Sequence, residues 1–301
     1  MQINRFKGIF PPVTTPFDEA GHVDLAALGG NIDRYNETKL TGYVPLGSNS
    51  ETVHLSSAER VKVVEIVRRR AAADKIVIGG VNELSTESAI EACKRVADAG
   101  ADAALVITPY FYKGAMNHAA FTAHYTDVAD HSPVPVFLYH VPQNTGVSID
   151  PATIAGLAAH ENIIGIKDSS GDMGALLATL RLSPKDFLVL TGNGGILCPS
   201  VMMGAAGAVL AIACLIPEIC VDLYKAASSG DHDRARELQN RISPLSALVT
   251  TAYGVPGLKA ALNLTGYNGG FPKRPLLPVS VDDIEKIRTA LRSSGLVAVN
   301  R

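Results

Sequence analysis

Apolar residues along this chain fall into short β-rich runs separated by longer stretches of helical period. The runs are GIFPPVTT (8–15), TGYVPLG (41–47), KIVIGGV (75–81), ADAALVIT (101–108), VPVFLYH (134–140), IIGIKD (163–168), FLVLTGN (187–193) and GAVLAIA (207–213). They are nearly continuous in apolar character rather than alternating, which is the pattern of strands covered on both faces. Most intervening stretches read as helices. Residues 56–73 offer Ser56 or Ser57 as N-cap, Glu59 in the first turn, and Val61, Val64, Ile66 and Val67 as an apolar face. Residues 85–99 repeat the scheme and stop at Gly100. Residues 151–160 open with Pro151 after Asp150, a good first-turn and cap pair. The stretch 193–207 has room only for a small helix.

Eight strand–helix alternations predict an α/β fold with a parallel sheet, closed as a (β/α)8 barrel. An open doubly wound sheet is the alternative, and it fits less well because no GxGxxG follows the first run. Residues 216–292 carry only helical patterns. The expected organisation is therefore a barrel over 1–215 and a C-terminal helical extension over 216–301 packed on it. The apolar stripes of that extension read as core and subunit contacts, without chemistry.

Composition narrows the function classes. The chain has 301 residues, 47% hydrophobic and 19% charged, with a net charge of -2. That balance gives a rich interior and no basic surface for nucleic acid or anionic membrane. Cys93, Cys198, Cys214 and Cys220 show no CxxC spacing and read as reduced core thiols. The N-terminus has no apolar signal core, and no apolar stretch reaches the length of a membrane span. The expectation is a cytoplasmic protein.

In a barrel of this kind chemistry gathers at the C-terminal strand ends. Those ends supply Thr14 and Thr15, the GSNSE turn (47–51), TPYFYKG (108–114), YHVPQNTG (139–146), Lys167 with Asp168, and Gly192 with Asn193. His140 is the one histidine among them and Asp168 the one nearby carboxylate, too few ligands for zinc or magnesium. No phosphate loop is present. The expectation is no metal and no cofactor. What remains is a lysine, tyrosines, hydroxyls and amides. A lysine amine in an apolar setting can attack a ketone and form a Schiff base. A phenol such as Tyr139 can move protons. A Gly-Ser-Asn turn can present N–H groups and a hydroxyl to a carboxylate. Together they describe a site for a 2-oxo acid. Each piece also has a plainer reading: Lys167 as an ion-pair partner of Asp168, Tyr139 as a core tyrosine, and 47–50 as an ordinary turn.

The stretches GIFPPVTTPF, GSNSE, TPYFY, LYHVPQNTG, GIKDSSGD and TGNGG together resemble the dihydrodipicolinate synthase / N-acetylneuraminate lyase family of class I Schiff-base pyruvate aldolases, from about Gly8 to the last helices. The resemblance implies Lys167 as the Schiff-base lysine and Tyr139 as the catalytic tyrosine. It implies Ser48 and Asn49, with Gly47, as holders of the substrate carboxylate. It places a backbone carbonyl near Val209 at the site, and adds Asn144 and Tyr110 as substrate contacts. It further implies a homotetramer, a dimer of dimers. Two positions depart from the synthases. Asn144 stands where they carry a carboxylate-gripping arginine, and Phe111 stands where they carry a tyrosine that reaches a neighbouring subunit. Tyr110 and Tyr112 flank Phe111, and strand-like alternation would point them to the other face. GSNxE with VPxNTG looks closer to 4-hydroxy-2-oxoglutarate aldolase. The expected activity is cleavage of a 4-hydroxy-2-oxo acid, 4-hydroxy-2-oxoglutarate first, to pyruvate and an aldehyde such as glyoxylate. Alternatives are the synthase itself, condensing pyruvate with aspartate semialdehyde, a sugar-acid aldolase or dehydratase, a metal-dependent aldolase, and a non-catalytic barrel that binds oxo acids.

Overall fold

The structure is a computed structural model describing residues 2–299. Met1 and the last two residues of the expected C-terminal extension lie outside the described residues. The eight apolar runs each seed one strand: β1 (Gly8–Phe10), β2 (Gly42–Tyr43), β3 (Ile76–Val81), β4 (Ala103–Ile107), β5 (Val136–His140), β6 (Ile163–Asp168), β7 (Leu188–Thr191) and β8 (Gly207–Val209). All pairings are parallel, in the order β1-β8-β7-β6-β5-β4-β3-β2. Backbone bonds from Thr41 N–H to the Ile9 carbonyl and from Val44 N–H to the Pro11 carbonyl, both 3.0 Å, close β1 against β2. The result is the (β/α)8 barrel with helices between the strands.

Several strands are shorter than their runs. β1 stops at Phe10 and β2 at Tyr43, because Pro11, Pro12 and Pro45 have no N–H to give to a ladder. The freed backbone turns inward as mouth loops. Gly165 on β6 is required by close approach: a Cβ there would come within 2.4 Å of the Leu188 carbonyl oxygen and 2.6 Å of the Phe137 ring.

The helix ends follow their caps. Ser56 caps the helix Ser57–Arg70 in a reciprocal box with Glu59. Its buried face is Val63, Val64, Ile66 and Val67, while Val61 is only half-buried. At about 100° per residue, Val63 lies roughly 40° from Val67 and Val61 roughly 120°, so Val63 replaces Val61 in the stripe. Ser85 caps Thr86–Asp98, and Gly100 ends that turn at φ +94. Asp150 caps Pro151–Leu157, and the small helix of the 193–207 stretch is Leu197–Met202.

Apolar side chains separate into two sets. Phe10, Ile78, Leu105, Phe137, Ile164 and Leu190 belong to the set that fills the barrel. A second, continuous set runs from Ile9 to Leu291, between the barrel and its helices and on through Pro217–Ser229, His232–Ala247, Gly254–Leu264 and Val281–Ser294. Among the described residues no helix is long and apolar enough to cross a membrane. The four cysteines are free and buried.

Candidate active site

β5 and β6 pair so that Tyr139 lies beside Lys167 and His140 beside Asp168. Paired residues of parallel strands point to the same face, and successive residues alternate. Tyr139 packs with the barrel-filling set. Lys167, its register partner, therefore points inward with it. The two side chains are 2% and 4% exposed. The Lys167 Nζ sits 4.2 Å from the centroid of the Tyr139 ring, a distance at which a ring face attracts a cation.

His140 and Asp168 face the other way and pair with each other. His140 Nδ1 lies 3.1 Å from Asp168 Oδ1, which also accepts from the Ser170 N–H at 2.8 Å. Burial pushes the Asp168 carboxyl up, but the bonds from His140 and from Ser170 outweigh it and hold the carboxyl below its usual range. The plainer reading of Lys167 as Asp168's partner is thus excluded by strand alternation. Among the described residues no carboxylate lies within ion-pairing distance of Lys167.

The GSNSE stretch forms a tight helical turn, Ser48–Ser50, with Gly47 at its start. Ser48 Oγ lies 3.0 Å from the Tyr139 hydroxyl, and the Asn144 amide donates to Ser48 Oγ at 3.4 Å. Ser48, Asn49, Tyr139, Asn144, Lys167 and Val209 all line one cavity of about 630 Å³ at the C-terminal mouth of the barrel. Gly47 is buried behind the turn and not in the cavity wall; its role is to begin the turn. Tyr110 is not in the wall either. Pro109 follows the end of β4, and Tyr110 packs half-buried against both apolar sets, the barrel-filling one that holds Tyr139 included. Residues 109–112 are not strand, so the expected alternation of Tyr110, Phe111 and Tyr112 does not hold. Phe111 and Tyr112 are both exposed and meet edge to face at 5.1 Å.

The sequence reading missed one wall of the cavity. Ser243, Ser246, Thr250 and Thr251 line it from the C-terminal helices. Pro244 lies inside His232–Ala247, and the chain then widens into a five-residue π turn, Leu248–Ala252. Such irregular turns recur at functional sites. The run SPLSALVTTA, with a proline breaking a helical pattern, was the available signal. Gln143, Ser169, Ser170 and Asn193 complete the polar lining. Lys167 is the one charged side chain among the lining residues. Among the described residues no group of three or more His, Cys, Asp or Glu side chains is gathered to hold a metal. The arrangement offers an amine, a phenol beside it, and hydroxyl and amide donors around a cavity open at the barrel mouth.

Comparison with known proteins agrees with this geometry. Residues 5–294 match the dihydrodipicolinate synthetase family. A 4-hydroxy-tetrahydrodipicolinate synthase of Methanothrix thermoacetophila is 36% identical over 288 residues, covering 95% of this chain and 96% of that protein. The crystal structure of dihydrodipicolinate synthase from Aquifex aeolicus superposes with a TM-score of 0.92 at 29% identity, over 98% of this chain and 100% of that one. YagE, a prophage protein of the same family from E. coli K12 solved with pyruvate, gives a TM-score of 0.91 at 28% identity, over 97% and 99% of the two chains. The chain therefore belongs to the dihydrodipicolinate synthetase family and is a class I pyruvate-dependent lyase.

Proposed function

We propose that Lys167 forms the imine with a 2-oxo acid, that Tyr139 moves the protons, and that Ser48 and Asn49 hold the acid's carboxylate. The observation that carries this is the Lys167 Nζ against the Tyr139 ring, whose hydroxyl meets Ser48, with no carboxylate among the described residues paired to that amine. In the lyase direction the neutral amine adds to the C2 ketone, Tyr139 gives its proton to the departing hydroxyl, and water leaves, giving a cationic imine and a phenolate. Tyr139 takes the proton of the C4 hydroxyl. The C3–C4 bond breaks, its electron pair flows into the imine, and an aldehyde departs. Protonation of the resulting enamine at C3 and hydrolysis release pyruvate. Condensation is the same path reversed.

The named relatives, 4-hydroxy-tetrahydrodipicolinate synthases, support the synthase reading, in which pyruvate condenses with aspartate semialdehyde. A specific observation favours another. Asn144 stands at the cavity mouth, and no arginine is among the lining residues. A neutral amide cannot give the two charge-assisted bonds a guanidinium gives a carboxylate. That weighs against a partner whose carboxylate needs a guanidinium and supports cleavage of a 4-hydroxy-2-oxo acid; 4-hydroxy-2-oxoglutarate, whose glyoxylate half keeps one small carboxylate, is put first by the GSNxE and VPxNTG stretches. A panel scored for pyruvate release, with hydroxy-oxoglutarate and deoxy-sugar acids, run beside a coupled assay with pyruvate and aspartate semialdehyde, separates the readings. Turnover in the coupled assay alone assigns the synthase, and pyruvate release alone assigns the lyase. Silence in both, with ligand-induced stabilisation, would leave a binding protein. Assembly as a cytoplasmic homotetramer is part of the same proposal, and the exposed Phe111 and Tyr112 suit a surface that meets another copy.

A further inference from the structure

Directly behind the Ser48–Asn49 turn lies a second buried lysine that the mechanism above does not use. Lys259, on the helix Gly254–Leu264, is 1% exposed and reaches Glu51 with Nζ 2.5 Å from Oε1. Its aligned hydrogen bonds go to the Thr15 carbonyl at 2.8 Å and the Phe271 carbonyl at 2.7 Å, and it lies over the Phe17 ring at 4.3 Å. One ammonium thus joins the loop after β1, the GSNSE turn and the C-terminal loop.

Glu51 is an unusual residue to tether. It is 2% exposed and left-handed, at φ +54, and Leu46 on the other side of the turn is left-handed at φ +62. Side chains other than glycine enter that region at a cost, and such conformations persist only where their surroundings hold them. Leu46 is held by the Asn82 amide on its carbonyl, at 2.8 Å. Glu51 is held by Lys259 and by the Lys273 N–H on Oε2 at 2.7 Å, with His54 Nδ1 at 3.7 Å. Strain on both sides therefore brackets the residues that face the cavity.

We propose that Lys259 is a positioning residue: through Glu51 it fixes the Ser48–Asn49 turn in the shape that receives the substrate carboxylate, and so couples the C-terminal helices to binding at the barrel mouth. This rests on the function proposed above. The test compares wild type with Lys259→Met, Glu51→Gln and the double variant in borohydride trapping against pyruvate concentration. Half-saturating pyruvate is expected to rise about tenfold in all three, while the yield at saturation falls less than twofold. The double variant leaves no buried charge unpaired but strips the Thr15 and Phe271 carbonyls of their donor, so its melting temperature is expected to recover only part of the way from Lys259→Met towards wild type while its half-saturation stays raised. Half-saturation that recovers in step with the melting temperature would overturn the inference and leave the pair a structural one. Amide hydrogen exchange at Ser50 and Glu51 in the ligand-free protein gives an independent reading: faster exchange is expected, and unchanged exchange contradicts the proposal. If wild type forms no adduct, the function above fails and the exchange measurement alone decides this inference. Should Lys259→Met not fold, Glu51→Gln, which keeps the shape and a hydrogen-bonding side chain, is read by the same measurements.

Discussion

Tyr139 has its ring against the Lys167 amine and its hydroxyl on Ser48, so one residue touches both the group proposed to form the imine and the turn proposed to hold the carboxylate. Tyr139→Phe keeps the ring and removes the proton carrier. Its kcat is expected to fall about 10²–10⁴-fold, the usual contribution of a positioned acid–base group. Steady-state kinetics on the substrate identified by the panel checks this. Asn144 makes a different kind of test. Asn144→Arg supplies a guanidinium where the amide now reaches Ser48. Hydrogen bonds to charged groups contribute about 1.5–3 kcal/mol, so the KM for an aldehyde bearing a carboxylate is expected to fall roughly tenfold or more. An unchanged KM would place that carboxylate elsewhere.

The helix His118–His131 carries a buried imidazole, His124, whose Nδ1 lies 2.9 Å from the Thr86 hydroxyl at the start of Thr86–Asp98. Burial depresses its pKa to about 4, with Asp127 opposing only in part. Between that value and the ordinary 6.5 the unfolded chain binds the extra proton and the folded one does not. Stability from this group is therefore full above 6.5 and is lost as pH falls towards 4, by up to about 3 kcal/mol. His124→Gln is expected to flatten that stretch of a urea-denaturation pH profile; an unchanged slope would contradict it. Elements of this kind were legible in the sequence wherever a local signal sufficed: Ser56, Ser85 and Asp150 announce the helices they cap. Lys167 and Tyr139 were legible because polar groups ending apolar runs stand out. The serine and threonine wall at 243–251 was not. Hydroxyls on a helix look solvent-facing until tertiary packing turns them inward, and Lys259, one charge in an apolar stripe, carries no local signal of its burial. The alternation expected of Tyr110, Phe111 and Tyr112 failed for the opposite reason, since strand logic was carried past Pro109, where the strand had ended.

For the whole molecule, the cavity is built from both ends of the chain: Pro12 and Ser48 on one side, Lys167 and Val209 within, and Ser243 to Val255 from the C-terminal helices. No carboxylate, imidazole or thiol is among the lining side chains. A chemistry of one amine, one phenol and neutral donors is expected to run unchanged after dialysis against EDTA. Inhibition reversed by a divalent cation would contradict it. The most direct test of the account is the mass of the intact protein after borohydride reduction with pyruvate, followed by peptide mapping. One reduced pyruvate adduct per chain, on Lys167 and lost in Lys167→Ala, is the predicted result. No adduct, or one carried by Lys259 or a surface lysine, would contradict it.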